Sequence, residues 1–231
     1  MSIADNVRAI REQIARAAEK SGRGASDITL VAAAKMNDAA RVREAIAAGV
    51  DAVGENRVQE MTQKLAEGAY TGAPLHFIGH LQTNKVREVV GKCGLIESVG
   101  SVRLLEAISA RAATLGITQD VLIEVNIGGE ESKSGVAPDE LSQILEKAAA
   151  VSAVKVLGLM SIPPISDKND ANCNFFDKMF NLFIDIQGKK YDNVSMRYLS
   201  MGMSDSFCAA IEAGANMVRI GSSIFGARNY T

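Results

Sequence analysis

Eight short apolar runs alternate with longer segments of helical spacing, and this rhythm constrains the fold of the chain more than any other feature. The runs are Ile28–Ala34, Ala52–Gly54, Leu75–Ile78, Leu95–Val99, Val121–Val125, Val154–Met160, Tyr198–Ser200 and Met217–Ile220. Between them, Ala39–Ala48, Val58–Glu67, Lys85–Val90, Val102–Leu115, Pro138–Ala150, Asn172–Gln187 and Asp205–Ala213 carry helical spacing. Strand–helix alternation implies parallel strands joined by right-handed crossovers. Eight such strands are the number that closes a barrel. The expected fold is therefore α/β, a (β/α)8 TIM-type barrel, with a doubly wound open sheet as its competitor.

Ahead of the first run, Ile3, Val7, Ile10 and Ile14 form one apolar stripe. The stripe predicts an extra N-terminal amphipathic helix that covers part of the barrel. Ser2 and Asp5 have capping-box spacing at its start.

The chain has 231 residues, 47% of them apolar, which suits one domain spanning residues 1–231. A net charge of −2 argues against a nucleic-acid partner, which would need a basic surface. No apolar stretch reaches membrane-spanning length, so no membrane partner is expected. Three cysteines without close pairing give no disulfide framework. Together with a charged N-terminus, they point to the cytoplasm. No oligomer signal is present, and a monomer is expected.

Barrel chemistry gathers at the C-terminal ends of the strands. Lys35 ends the first run, and burial there would lower its amine pKa from about 10.4, as Schiff-base lysines require. A lysine reaching for solvent is the plainer reading of that feature alone. After the eighth run, Gly221 and Ser222 offer backbone N–H groups and a hydroxyl that could cradle a phosphate. Ser200, at the end of the seventh run, is the second candidate phosphate donor. Ser204 or Asp205 is read as the cap of the following helix. His76 and His80 flank Phe-Ile-Gly without partners of ligand spacing, so no metal is expected. Phe175, Phe176, Met179, Phe180 and Phe183 read as the buried face of a helix.

Several longer segments in fixed order resemble the pyridoxal phosphate homeostasis protein family. They are Val31-Ala-Ala-Ala-Lys35, Gly54-Glu-Asn-Arg-Val-Gln-Glu60, the run from His76 to Lys85, Asn126 with Ser132–Gly135, Gly158-Leu-Met160, Leu199–Asp205 and Val218–Arg228. The resemblance runs from about Ile28 to Tyr230 and implies the barrel of the N-terminal domain of alanine racemase. It further implies that Lys35 carries pyridoxal 5'-phosphate (PLP) as a Schiff base. Ser200, Gly221 and Ser222 would hold its phosphate, Arg219 would face the pyridine nitrogen, and Asn56 would lie beside the ring. Most members carry threonine where this chain has Ser222, and the hydroxyl is kept. The stretch 162–174 departs from the family pattern.

The resemblance implies a PLP carrier in cofactor homeostasis, with PLP-dependent apoenzymes as possible recipients and an amino-acid racemase as the alternative. A lysine that forms a Schiff base with substrate, as in an aldolase, is a third reading that leaves the linked motifs unexplained. An arginine beside the pyridine nitrogen disfavours its protonation and makes the ring a poorer electron sink. The chain ends at Thr231 without the β-rich second domain that completes the racemase site, so the expectation is a non-catalytic carrier. Lys85 and Lys133 are candidates for a second lysine that removes the cofactor.

Overall fold

The computed structural model describes residues 2–129, 134–163 and 169–226, with residues 169–173 described as backbone. Eight parallel strands close into a barrel in sequence order: β1 (Thr29–Ala33), β2 (Ala52–Glu55), β3 (Leu75–Phe77), β4 (Leu95–Val99), β5 (Gln119–Glu124), β6 (Val154–Met160), β7 (Val194–Ser200) and β8 (Met217–Ile220). The open-sheet competitor is excluded, because β1 pairs with β8 through Val31↔Arg219 and Ala32↔Ile220. Around the strands lie α1 (Ile3–Lys20), α2 (Ala39–Ala47), α3 (Val58–Ala66), α4 (Val86–Val89), α5 (Val102–Thr114), α6 (Leu141–Ala149), α7 (Asn169–Gln187), α8 (Phe207–Glu212) and α9 (Ser222–Phe225).

The N-terminal helix forms as its stripe predicts. Ile3, Val7, Ile10 and Ile14 are all buried, and Ser2 and Asp5 make a complete capping box. α1 packs on α2, α8 and α9. The Asn6 side chain donates to the Ile224 carbonyl at 2.9 Å, which ties α1 to the turn after β8.

Several boundaries differ from the periodicity; β5 begins at Gln119 and α7 at Asn169. β7 begins earlier, at Val194, because in its first residues exposed Ser195 and Arg197 interrupt the apolar Val194 and Met196 and leave no continuous apolar run. α4 shrinks to four residues after a 3-10 turn over Thr83–Lys85. α9 was not anticipated, being a single turn after Gly221. On α7, Phe175, Phe176, Met179 and Phe183 are buried as expected, while Phe180 is half-buried.

The barrel interior has two layers. Val31, Ala52, Leu95, Leu122, Leu157 and Met217 form an apolar layer. Two residues further along their strands stand Glu97, Glu124 and Arg219, buried and charged. The two-residue step keeps them on the same inward face. The apolar layer thus supports a polar one directly beneath the C-terminal mouth, where barrel sites assemble.

Candidate functional site

Lys35 lies two residues past the end of β1, in a turn closed by the Asn37 amide donating to the Ala34 carbonyl at 3.1 Å. Its side chain is half-buried. Both flanks of Lys35 are held by α3. Lys64 donates to the Ala34 carbonyl at 2.9 Å, and Glu60 accepts from the Met36 amide at 2.7 Å. Met36 has a φ of 62°, an unusual conformation for a side chain of its size. Lys64 is itself buried and paired with Glu55 at 2.7 Å, and the Tyr70 hydroxyl donates to the same carboxylate oxygen at 3.0 Å. Burial raises the pKa of Glu55, while Lys64 and Tyr70 oppose that shift.

Across the β1–β8 seam from Lys35 is the turn that opens α9. The register Ala32↔Ile220 brings Gly221 beside β1, and a Cβ added to Gly221 would come 3.1 Å from the Ala33 carbonyl oxygen. The Gly221 and Ser223 amides both donate, at 3.4 Å, to the Ser204 hydroxyl. Ser204 therefore does not cap α8. Ser206 occupies the N-cap position, but its hydroxyl accepts from the Met203 amide at 3.2 Å and makes no capping bond to the helix.

Ser200 is placed differently from the expectation. It is fully buried inside the barrel and absent from the turn. Its hydroxyl donates to Glu97 Oε2 at 2.6 Å and accepts from Arg219 at 2.5 Å. Arg219 also donates to the Ser161 carbonyl at 2.8 Å. On its other oxygen Glu97 meets His76 Nδ1 at 2.7 Å. Four strands thus contribute to one buried chain, His76–Glu97–Ser200–Arg219. Burial would raise the Glu97 pKa, yet His76, Arg219 and Ser200 together hold it below the usual carboxylate range. Burial weakens the hold of Arg219 on its proton, and Glu97 and Glu124 oppose that effect.

Asn56, just past β2, has its Oδ1 buried without a hydrogen-bond partner. The Ser161 hydroxyl, fully buried past β6, is likewise unpartnered. A buried polar atom without a partner costs stability, and a ligand that satisfies it recovers that cost. Asn56 can pack so closely against the β3 end only because position 79 is glycine. A Cβ there would fall 2.1 Å from the Asn56 carbonyl oxygen.

Residue placement thus brings Lys35, Asn56, Arg219, Gly221 and Ser222 to one barrel mouth, with Ser222 exposed at the first position of α9. Glu97, Glu124 and Ser204 were missed. Glu97 and Glu124 had a legible signal, a carboxylate at an inward two-residue step of an otherwise apolar strand. Ser204 had none, because its partners are amides 17 and 19 residues away. Lys85 pairs with Glu88 at 2.9 Å, and Lys133 lies outside the described residues, as does 164–168 of the divergent stretch. His76 and His80 do not share a site: His80 Nδ1 meets the Ser134 hydroxyl at 2.9 Å. Among the described residues no group of three or more His, Cys, Asp or Glu could hold a metal, and no helix is long and apolar enough to cross a membrane.

The family model of the alanine racemase N-terminal domain matches residues 6–229. A protein of Aquifex aeolicus named pyridoxal phosphate homeostasis protein is 42% identical over 230 residues, covering 100% of both chains. A protein of that name from Escherichia coli K12 is 36% identical over 99% of this chain and 98% of its own. Among solved structures, PipY of Synechococcus elongatus with PLP bound superposes with a TM-score of 0.85 at 30% identity, covering 97% of this chain and 100% of that one.

Proposed function

This chain belongs to the pyridoxal phosphate homeostasis protein family, and from that membership we propose that it holds PLP on Lys35 as a carrier without committing it to one reaction. The observation that carries this reading is the β1–β8 seam, where Lys35 and the Gly221–Ser223 turn stand side by side at the same barrel mouth. An amine and a phosphate cradle are the two anchors that PLP needs. The residues present fit the group. Lys35 supplies the amine, Gly221 and Ser222 the amide cradle, and Ser204 the hydroxyl already aimed at that cradle. Ser204 takes the role expected of Ser200, whose hydroxyl is committed to Glu97 and Arg219. The orphaned Asn56 Oδ1 and Ser161 hydroxyl would gain partners. Arg219, held from below by Ser200, would face the ring nitrogen.

Bound PLP supplies a carbonyl that condenses with amines and a ring that can delocalise negative charge. The protein's part is to hold and orient. A permanent cation at Arg219 disfavours proton uptake by a nearby nitrogen, which weakens the ring as an electron sink. Relatives that match over their full length carry a homeostasis name, which supports a carrier role. Recipients on this reading are PLP-dependent apoenzymes. The free thiols of Cys93 and Cys208 support a reducing compartment, the cytoplasm.

The test is spectroscopic. Purified protein is expected to be yellow, and borohydride should fix the cofactor to the peptide containing Lys35. A colourless wild type, or label found on another lysine, overturns the Lys35 assignment. Single-enantiomer amino acids incubated with the loaded protein should keep their optical purity. Turnover of roughly 1 per second or more, an ordinary enzyme rate, overturns the carrier role.

A further inference from the structure

A second cavity opens at the same barrel mouth, on the side away from Lys35. It measures about 500 Å³ and is lined by His80, Thr83, Ser98, Ser101, Arg103 and Glu124 among others. Its walls come from the ends of β3, β4 and β5, whereas Lys35 and the Gly221 turn stand at β1 and β8. A volume of this size is typical of small-molecule sites.

Two buried side chains inside it lack partners. Glu124 is only 5% exposed, and its Oε2 has no hydrogen bond. Ser98, from the neighbouring strand, is 2% exposed, and its hydroxyl is also unpartnered. Glu124 Oε2 faces the cavity, since a Cβ added to Gly100 on the cavity wall would come 3.6 Å from it. Glu97 meets His76, Ser200 and, at 3.9 Å, Arg219, whereas Glu124 Oε2 has no hydrogen-bond partner. An ionised carboxylate can only accept hydrogen bonds. The missing group is therefore a donor, and a cationic donor matches a carboxylate best. A primary ammonium, with three donors, is such a group.

The outer rim has the opposite sign. Arg103 lies on the cavity wall in the first turn of α5, a 13-residue helix whose N-terminus carries partial positive charge. His80 stands on the same wall. That end fits an anion.

We infer that this cavity binds a free amino acid non-covalently, its ammonium on Glu124 and its carboxylate on Arg103. The site goes beyond holding the cofactor and stands whether or not Lys35 carries it. His80, Glu124 and Ser134 also line an adjoining cavity of about 310 Å³ that reaches Asn56. Glu124 thus joins this cavity to the one that reaches Asn56.

The experiment is calorimetric titration of the full-length protein with L-alanine and L-glutamine after borohydride treatment. The treatment blocks exchange at any lysine-bound cofactor and leaves a cofactor-free protein unaltered, so the outcome is independent of the cofactor reading. At least one of the two should bind with a Kd below about 10 mM, a weak-metabolite affinity. Ethylamine and propionate, each lacking one charged end, should bind at least fivefold more weakly. Glu124→Gln and Arg103→Gln should each weaken the amino acid at least fivefold, with thermal unfolding confirming that both variants are folded. Arg103 is exposed, so its replacement tests the site even if the buried change disturbs folding. Absence of binding by both amino acids, equal binding of a one-ended analogue, or less than a fivefold loss in a folded variant overturns the inference.

Discussion

The ammonium of Lys64 donates to the carbonyl of Ala34 at 2.9 Å, one residue before Lys35. The same ammonium neutralises Glu55 inside the protein. One buried cation thus balances a carboxylate and fixes the strand end that presents Lys35. Removing one partner of a buried pair leaves the other charge uncompensated, at a cost of about 3–5 kcal/mol. Lys64→Ala should lower stability by that amount in urea unfolding. It should also slow borohydride trapping of PLP, because the turn around Lys35 loses an anchor. A stability loss below about 1 kcal/mol would contradict the anchoring role.

Glu97 and Glu124 belong to one buried layer but should respond oppositely to neutralisation. The Glu97 pKa is lowered, so its ionised form stabilises the fold above the ordinary value of 4.5, and this is lost as pH falls below it. Glu97→Gln should therefore destabilise by about 3 kcal/mol at neutral pH, with the difference from wild type shrinking in acid. The Glu124 pKa is raised by burial, with Arg219 opposing. Its ionisation penalises the fold increasingly as pH rises above 4.5 and is absent below. Glu124→Gln should raise Tm by about 2–4 °C at neutral pH, the effect of 1 kcal/mol in a chain of this size, and by nothing near pH 4. Calorimetry at both pH values checks the pair, and equal signs at neutral pH would refute the assignment.

Ser200 and Ser204 separate structure from binding. Ser204→Ala should leave Tm within about 2 °C of wild type and weaken PLP about tenfold, one lost hydrogen bond to a charged group. Ser200→Ala removes a buried link between Glu97 and Arg219 and should cost about 2 kcal/mol of stability. Cofactor titration beside thermal unfolding distinguishes the two. If Ser200→Ala alone weakened PLP while stability was unchanged, the phosphate assignment would revert to Ser200.

Gly79→Ala tests the support of Asn56. The added methyl meets Asn56 backbone atoms, which cannot swing aside. A loss of about 1–3 kcal/mol is expected from overpacking, with weaker PLP binding because Asn56 must move. Unchanged stability would show that the β2 and β3 ends have room to separate.

Much of this protein was legible in its sequence, because local patterns decide local structure. The eight apolar runs set the strands, the Ile3-Val7-Ile10-Ile14 stripe set the N-terminal helix, and Ser2 with Asp5 set its start. Lys35 and Gly221 could be picked out because barrel strand ends are where polar groups face a common space. What stayed hidden depended on contacts between distant strands. Nothing near Ser200 in sequence shows that its hydroxyl meets Glu97 103 residues away, nor does anything near Ser204 show that it receives the amides of Gly221 and Ser223. The expectation for each serine rested on its distance from a strand end. Closure of the barrel decided the matter instead, turning one serine inward to the charged layer and the other toward the neighbouring strand's turn. Composition marked Glu97 and Glu124 only as charged residues. Tertiary structure alone divided them, giving one of them partners and leaving the other facing a cavity.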